Sequence, residues 1–231
     1  MCGRYSLAKP EKIDARDLGI PPAEIDLLTP RYNIAPSDPI AAIRAERDRH
    51  LELLRWGLIP SWSKDEAVGA RMINARAETL AEKPSFRGLL TQQRCLILAD
   101  GFYEWAQGAR GKQPYFVHLA SGAPFTFAGL WSRWKPPDAE EIRTCTIITC
   151  APNALVGKIH DRMPVILDKE AREAWLDPQR RDQQALAGLL RPYAERAMEA
   201  YPVSKLVNAP QNDSDACLKP LAPQNSRGTV A

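Results

Sequence analysis

The sequence predicts a single α+β domain built mainly on antiparallel strands. Its 231 residues fall within the range of one domain and are enough to bury a real core. Most apolar runs are short and strand-like, and 20 prolines and 13 glycines divide them. Segments with helical character are fewer, and nothing resembles an interdomain linker.

In chain order, "LELLRWGLIPSW" (51–62) predicts a strand running into a proline turn. "RCLILADGFYEW" (94–105) is the clearest strand, apolar throughout at first and then alternating. "QGARGKQ" (107–113) is a polar, glycine-bearing hairpin connection. "PYFVHL" (114–119), "PFTFAGLW" (124–131) and "IRTCTIITC" (142–150) read as further strands, with "SRWKPPDAEE" (132–141) a loop between the last two. "APNALVGKIH" (151–160) predicts a short helix. "DKEAREAWLD" (168–177) predicts another, with acidic residues at its start and a proline after its end, and "RDQQALAGLL" (181–190) a third, stopped by Pro192. The last stretch, "LAPQNSRGTVA" (221–231), lacks periodicity and reads as a frayed tail.

Composition excludes several classes. Hydrophobic residues at 45% and charged residues at 26% are ordinary for a soluble protein, and the net charge of +3 says little about a partner. Arginine outnumbers lysine 21 to 10, which suits bidentate phosphate contacts but fits codon bias equally well. Five cysteines without a CxxC pair, and three histidines, argue against both a disulfide framework and a zinc site. No metal or cofactor is expected. The start, "MCGRYSLAKPEK", has no apolar signal-peptide region, and no run approaches the ~18 apolar residues of a membrane span. The expectation is a soluble protein of a reducing compartment, cytoplasm or nucleoid.

Chemistry begins at Cys2. Removal of Met1 would leave an α-amine and a thiol on one residue, with reference pKa values of ~8 and ~8.5. Such a pair condenses with an aldehyde to an imine and closes to a thiazolidine. Alternatively, the thiol attacks an amide carbonyl with the amine as its base. Taken alone, Cys2 reads first as an incidental small residue at a chain end. Glu104 shares a strand face with Phe102, and a carboxyl among aromatics has a raised pKa; the competing reading is a solvent-facing glutamate. His160 lies between a short helix and a strand, beside Asp161 and Arg162, either as a proton shuttle or as a core or capping histidine. His50 and His118 read as surface and strand residues. Asn74 and Arg76 can face one ligand if their segment is extended; otherwise the arginine pairs a nearby acid such as Glu78. Arg87 and Trp62 add to an arginine–aromatic set that suits single-stranded nucleic acid, a weak signal by composition alone.

Taken together, "MCGRY", "RYNIAPS", "RWGLIPSW", "NARAET", "KPSFR", "QRCLILADGFYEW", "FTFAGLW", "CTIITCAPN", "IHDRMPVIL" and "VNAPQNDSDACLKP" resemble the SRAP family, the SOS-response-associated peptidase-like or abasic-site processing proteins. The resemblance runs from Cys2 to about Pro220. It implies an SRAP domain over 2–220 with a barrel-like sheet core and flanking helices, and a disordered tail over 221–231. It implies binding of single-stranded DNA carrying abasic sites, extending to single/double-strand junctions, by a monomer without a membrane partner. The activity it implies is a covalent thiazolidine crosslink on Cys2 that shields the lesion, with slow reversal, alongside peptidase-like release of Met1 and lyase-like chemistry. By the same resemblance Cys2 is the crosslinking residue, Asn74 orients the amine or a phosphate, and Glu104 and His160 are catalytic. Arg4, Arg76, Arg87, Arg162 and Trp62 line the DNA path. Ser63 departs from relatives that carry a second aromatic after "PSW", which puts stacking at a DNA junction in doubt here.

Three other readings compete. A glutamine amidotransferase also begins Met-Cys-Gly, but it needs an Asn-Gly pair and the chain has none. A peptidase acting on other proteins is a second. A non-catalytic reader of modified bases is a third, and it would not need Cys2, Glu104 and His160 together.

Overall fold

The thirteen strands of the described residues fall into two sheets. A computed structural model describes residues 2–108, 111–136 and 140–222. The elements are β1 (Tyr5–Leu7), α1 (Ala15–Leu18), α2 (Pro22–Ile25), β2 (Arg31–Ile34), β3 (Pro39–Arg44), β4 (Leu51–Trp56) and β5 (Asn74–Arg76). Then come α3 (Arg87–Gln92), β6 (Arg94–Ala99), β7 (Gly101–Gly108), β8 (Gly111–Leu119), β9 (Phe125–Trp134) and β10 (Ile142–Cys150). The chain continues through β11 (Met163–Pro164), β12 (Ile166–Leu167), α4 (Lys169–Leu176), α5 (Gln183–Ala187) and β13 (Met198–Pro202).

The larger sheet closes on itself. β10 pairs β4, β4 pairs β3, β3 pairs β6, β6 pairs β9, and β9 pairs β10 again, giving a five-stranded barrel. All these pairings are antiparallel except β10 with β4. The apolar run 94–99 explains its place: every residue of β6 is buried, as expected of a wall covered on both faces. Arg94 opens that strand fully buried, its guanidinium donating to the carbonyls of Leu90, Trp175 and Asp177 at 3.0, 2.7 and 2.6 Å. Those carbonyls lie in or beside α3 and α4, so the buried cation ties both helices to the barrel. Asp168 starts α4 by accepting from the Ala171 N–H at 2.9 Å.

The second sheet, in the order β13-β8-β7-β1-β2, is antiparallel and lies against the barrel. Tyr5 of β1 joins the two, its ring edge-on to Trp56 at 5.4 Å and to Phe127 at 5.7 Å. Burying a side chain of that size contributes about 1.5–3 kcal/mol, so the N-terminal strand is anchored by its own sequence.

The segment 94–105 is one strand by pattern and two in the structure. Asp100 turns the chain from the barrel into the second sheet. Its carboxylate accepts from Ser6 Oγ at 2.6 Å and from the Ala8 and Lys9 N–H groups at 2.6 and 2.8 Å. Gly101 must follow, because a Cβ there would stand 2.0 Å from Phe116 Cζ. The stretch 151–160 forms only a 3-10 turn at Val156–Lys158. The strands expected at 114–119 and 142–150 are present within β8 and β10, while the one expected at 124–131 starts at Phe125 and extends to Trp134, into the stretch expected as a loop. The last nine residues of the expected tail, 223–231, lie outside the described residues, as do 109–110 of the hairpin connection and 137–139 of the β9–β10 loop.

Candidate active site

The residues leading into β1 run along β7, held by the Tyr103 N–H donating to the Arg4 carbonyl at 2.9 Å. This brings Cys2 against the barrel edge, where β5 lies parallel to β10 with Asn74 opposite Ile147. Asn74 Nδ2 donates to the Cys2 carbonyl at 2.8 Å. Its Oδ1 is buried and accepts no hydrogen bond among the described residues.

Cys2 is fully buried, with Sγ 3.9 Å from the Arg4 carbonyl oxygen. Burial first, and the Glu104 carboxylate second, push its thiol far above the ordinary range. The sulfur therefore stays protonated at neutral pH and needs a base to react. Glu104 projects from β7 and is 2% exposed. Burial pushes its carboxyl up to about 7 against the opposing pull of the chain's terminal ammonium, and Asp161 adds to the rise. Both its forms are populated near neutrality, the condition for acid–base work.

His160 sits in the turn between the Val156–Lys158 helix and β11, with Nε2 4.0 Å from Glu104 Oε2. Nδ1 accepts the Arg162 N–H at 3.0 Å, while Asp161 Oδ1 is 2.9 Å from the same nitrogen. One neutral Nδ1 cannot accept from the amide and donate to the carboxylate at once. Burial holds His160 below its ordinary pKa, and the Asp161 side chain is 87% exposed, so the amide bond defines the resting ring. The proton then sits on Nε2, facing Glu104.

The structure thus brings Cys2, Asn74, Glu104 and His160 together. The arginine set divides. Arg76 and Arg87 are exposed, and Trp62 is 67% exposed near the start of α3, with Pro84, Ser85 and Gly88 around it. Arg4 is turned inward: its Nη1 donates to Asn33 Oδ1 at 2.9 Å and to the Val207 carbonyl at 2.6 Å. Arg162 is also engaged, bidentate with Glu78 at 2.8 Å on both branches and donating to the Thr149 carbonyl at 2.6 Å. The acid beside Arg76 therefore pairs a more distant arginine.

Sequence reasoning missed the residues that hold the arm. Asn33 is fully buried, and its Nδ2 donates to the carbonyls of Val207, Ala209 and Asn212 at 3.2, 3.1 and 2.7 Å. Asp213 accepts from the Tyr32 and Asn33 N–H groups at 2.5 and 2.9 Å and pairs Arg31 at 2.5 Å. Trp105 Nε1 donates to Asn208 Oδ1 at 2.8 Å. The signal was a buried-looking asparagine inside "RYNIAPS" and the polar run "VNAPQND", which are partners across the fold.

Fold and site define a class: an α+β barrel-and-sheet protein whose buried N-terminal arm, not a loop, enters its cluster of ionisable groups. The chain belongs to the SRAP family, SOS response associated peptidase, whose model matches residues 1–210. It is 48% identical over 221 residues to the abasic site processing protein YoqW of Bacillus subtilis, covering 93% of this chain and 97% of that one. It is 37% identical to the abasic site processing protein HMCES of Gallus gallus, covering 83% of this chain and 66% of that one. A crystal structure of a protein from Bacteroides thetaiotaomicron superposes with a TM-score of 0.84 at 29% identity, covering 96% of this chain and all of that one.

Proposed function

We propose that the protein processes abasic sites by trapping the open-chain aldehyde of single-stranded DNA as a thiazolidine on Cys2, once Met1 has been removed. The observation that carries this is the setting of Cys2: its carbonyl is held by Asn74, and its buried thiol lies in the field of a carboxyl pushed up to about 7. The names of the relatives, abasic site processing proteins, supply the substrate class.

The chemistry follows from the groups present. The closed sugar opens when its ring oxygen receives a proton and its anomeric hydroxyl loses one. The protonated Glu104 carboxyl gives its proton to the ring oxygen while its other oxygen takes the anomeric proton, and His160 Nε2–H hydrogen-bonds the charge that develops there. The Cys2 amine adds to the aldehyde carbon, and water leaves as the imine forms. Protonated Glu104 gives its proton to the imine nitrogen and, as the carboxylate, takes the thiol proton as sulfur bonds to the imine carbon and closes the five-membered ring. Asn74 Oδ1, which accepts no hydrogen bond among the described residues, would accept from the Cys2 amine. By microscopic reversibility, Glu104 returns a proton to sulfur when the ring reopens. Arg76 and Arg87 hold flanking phosphates and Trp62 stacks on a base; Arg4 and Arg162 reach DNA only by leaving their internal partners.

The test is a single-stranded oligonucleotide bearing one abasic site, incubated with protein and run on a denaturing gel. A heat-stable adduct is expected, absent in Cys2→Ala and absent in protein whose intact mass retains Met1. An adduct that survives in either form overturns the assignment.

A further inference from the structure

Glu78 lies outside the reacting cluster, yet it touches the segment that orients it. It occupies the short 3-10 turn Ala77–Thr79, directly after the strand that carries Asn74. Both its oxygens take the Arg162 fork at 2.8 Å, and Arg162 is fixed a second time on the Thr149 carbonyl of β10 at 2.6 Å. The Arg162 side chain is 15% exposed, so this pair is shielded from water on the arginine side. The backbone N–H of the same Arg162 donates to His160 Nδ1. A planar guanidinium held by two acceptors fixes its own backbone far better than a single contact would.

We propose that Glu78 is a positioning residue for the reaction: through Arg162 it holds the 160–162 turn so that the amide occupies His160 Nδ1 and the imidazole presents Nε2–H to Glu104. This rests on the crosslinking function proposed above. When Glu78 lets go, the amide loosens and the Asp161 carboxylate competes for Nδ1, which favours the other tautomer and the imidazolium. The charged groups acting on His160 are Glu104 on β7, Lys112 on β8, Asp161 and Arg162 of its own turn, and the chain's terminal ammonium. Of these groups, Arg162 is the one that Glu78 pairs with.

The test compares wild type, Glu78→Gln and Glu78→Asp. Non-covalent affinity is measured on single-stranded DNA carrying a tetrahydrofuran abasic analogue, which has no aldehyde. Crosslinking rate is measured against pH on the true abasic site, and the His160 ring nitrogens are read by NMR. The expected result for Glu78→Gln is a crosslinking rate at neutral pH lower by about tenfold or more, beyond any change in analogue affinity. The acid limb of its profile moves to higher pH, and the Nε2–H tautomer loses population. Glu78→Asp, which keeps the charge, restores part of the rate and the wild-type limb. A rate that falls only in step with analogue affinity, or a profile and tautomer identical to wild type, overturns the inference. Failure of the wild type to crosslink overturns the proposed function instead.

Discussion

Glu104→Gln tests the electrostatics of the site through stability as well as rate. The carboxyl moves from an ordinary 4.5 to about 7 on folding, driven by burial. A group whose pKa rises on folding binds its proton more tightly in the native state. Its contribution is therefore whole below 4.5 and is lost as pH rises through about 7. At about 1.4 kcal/mol per pH unit, the difference corresponds to about 3 kcal/mol. Glutamine keeps the shape and does not titrate. Urea unfolding of both proteins at about pH 4.5 and about pH 8.5 isolates the term, because other titrations cancel in the difference. The wild type is expected to lose about 3 kcal/mol relative to Glu104→Gln between the two conditions. Crosslinking by the variant falls by roughly a hundredfold or more at neutral pH. A stability difference that does not change with pH refutes the raised carboxyl, and with it the acid–base role built on it.

Gly101→Ala places a methyl 2.0 Å from Phe116 Cζ, and β7 is paired on both edges, so the strain costs about 1–3 kcal/mol. Denaturant unfolding checks this; adding Phe116→Leu recovers part of the loss, and additive losses would show that the clash is not the cause. Trp62→Ala leaves the melting temperature unchanged, since the ring is 67% exposed. It weakens single-stranded DNA binding by about 1–3 kcal/mol if one base stacks there. Arg76→Ala lowers the slope of affinity against salt by about 0.7, the value for one phosphate contact on a single strand, and an unchanged slope removes Arg76 from the DNA path.

How much of this was legible in the sequence depends on the range of the interaction. The strands 114–119, 124–131 and 142–150 were readable because their apolar runs bury on the spot. The pattern change within "RCLILADGFYEW" was visible, but its meaning was not. A run that is buried on both faces belongs to the barrel and an alternating one to the second sheet, and the switch at Asp100 depends on three donors about 90 positions away. The helix expected at 151–160 shrank to one turn because Asn153 is spent locally, its Oδ1 accepting the Val156 N–H and its Nδ2 donating to the Tyr193 carbonyl. Local polar competition of this kind ends helices that propensity alone would extend. In the site, the residue types at 2, 74, 104 and 160 suggested chemistry, but their meeting did not follow from spacing. The partner of Glu78 lies 84 positions away, not beside it.

The same distance argument explains why a polar motif after position 206 belongs with a cysteine at position 2. A chain end has a neighbour on one side only, and fixing each of its residues costs about 1–2 kcal/mol of backbone entropy. The nucleophile proposed at Cys2 would wander unless something other than the chain held it. Tyr5 enters the core, Tyr103 pins the Arg4 carbonyl and Asn74 pins the Cys2 carbonyl. Arg4 spans 203 positions to the Val207 carbonyl, and Asn33 locks the receiving segment in place. These contacts set the position of the Cys2 backbone before any substrate arrives, so the ordering cost falls on folding and not on the reaction. An inward-facing Arg4 is thus understandable without DNA: its charge is half-buried and its work is to hold the arm.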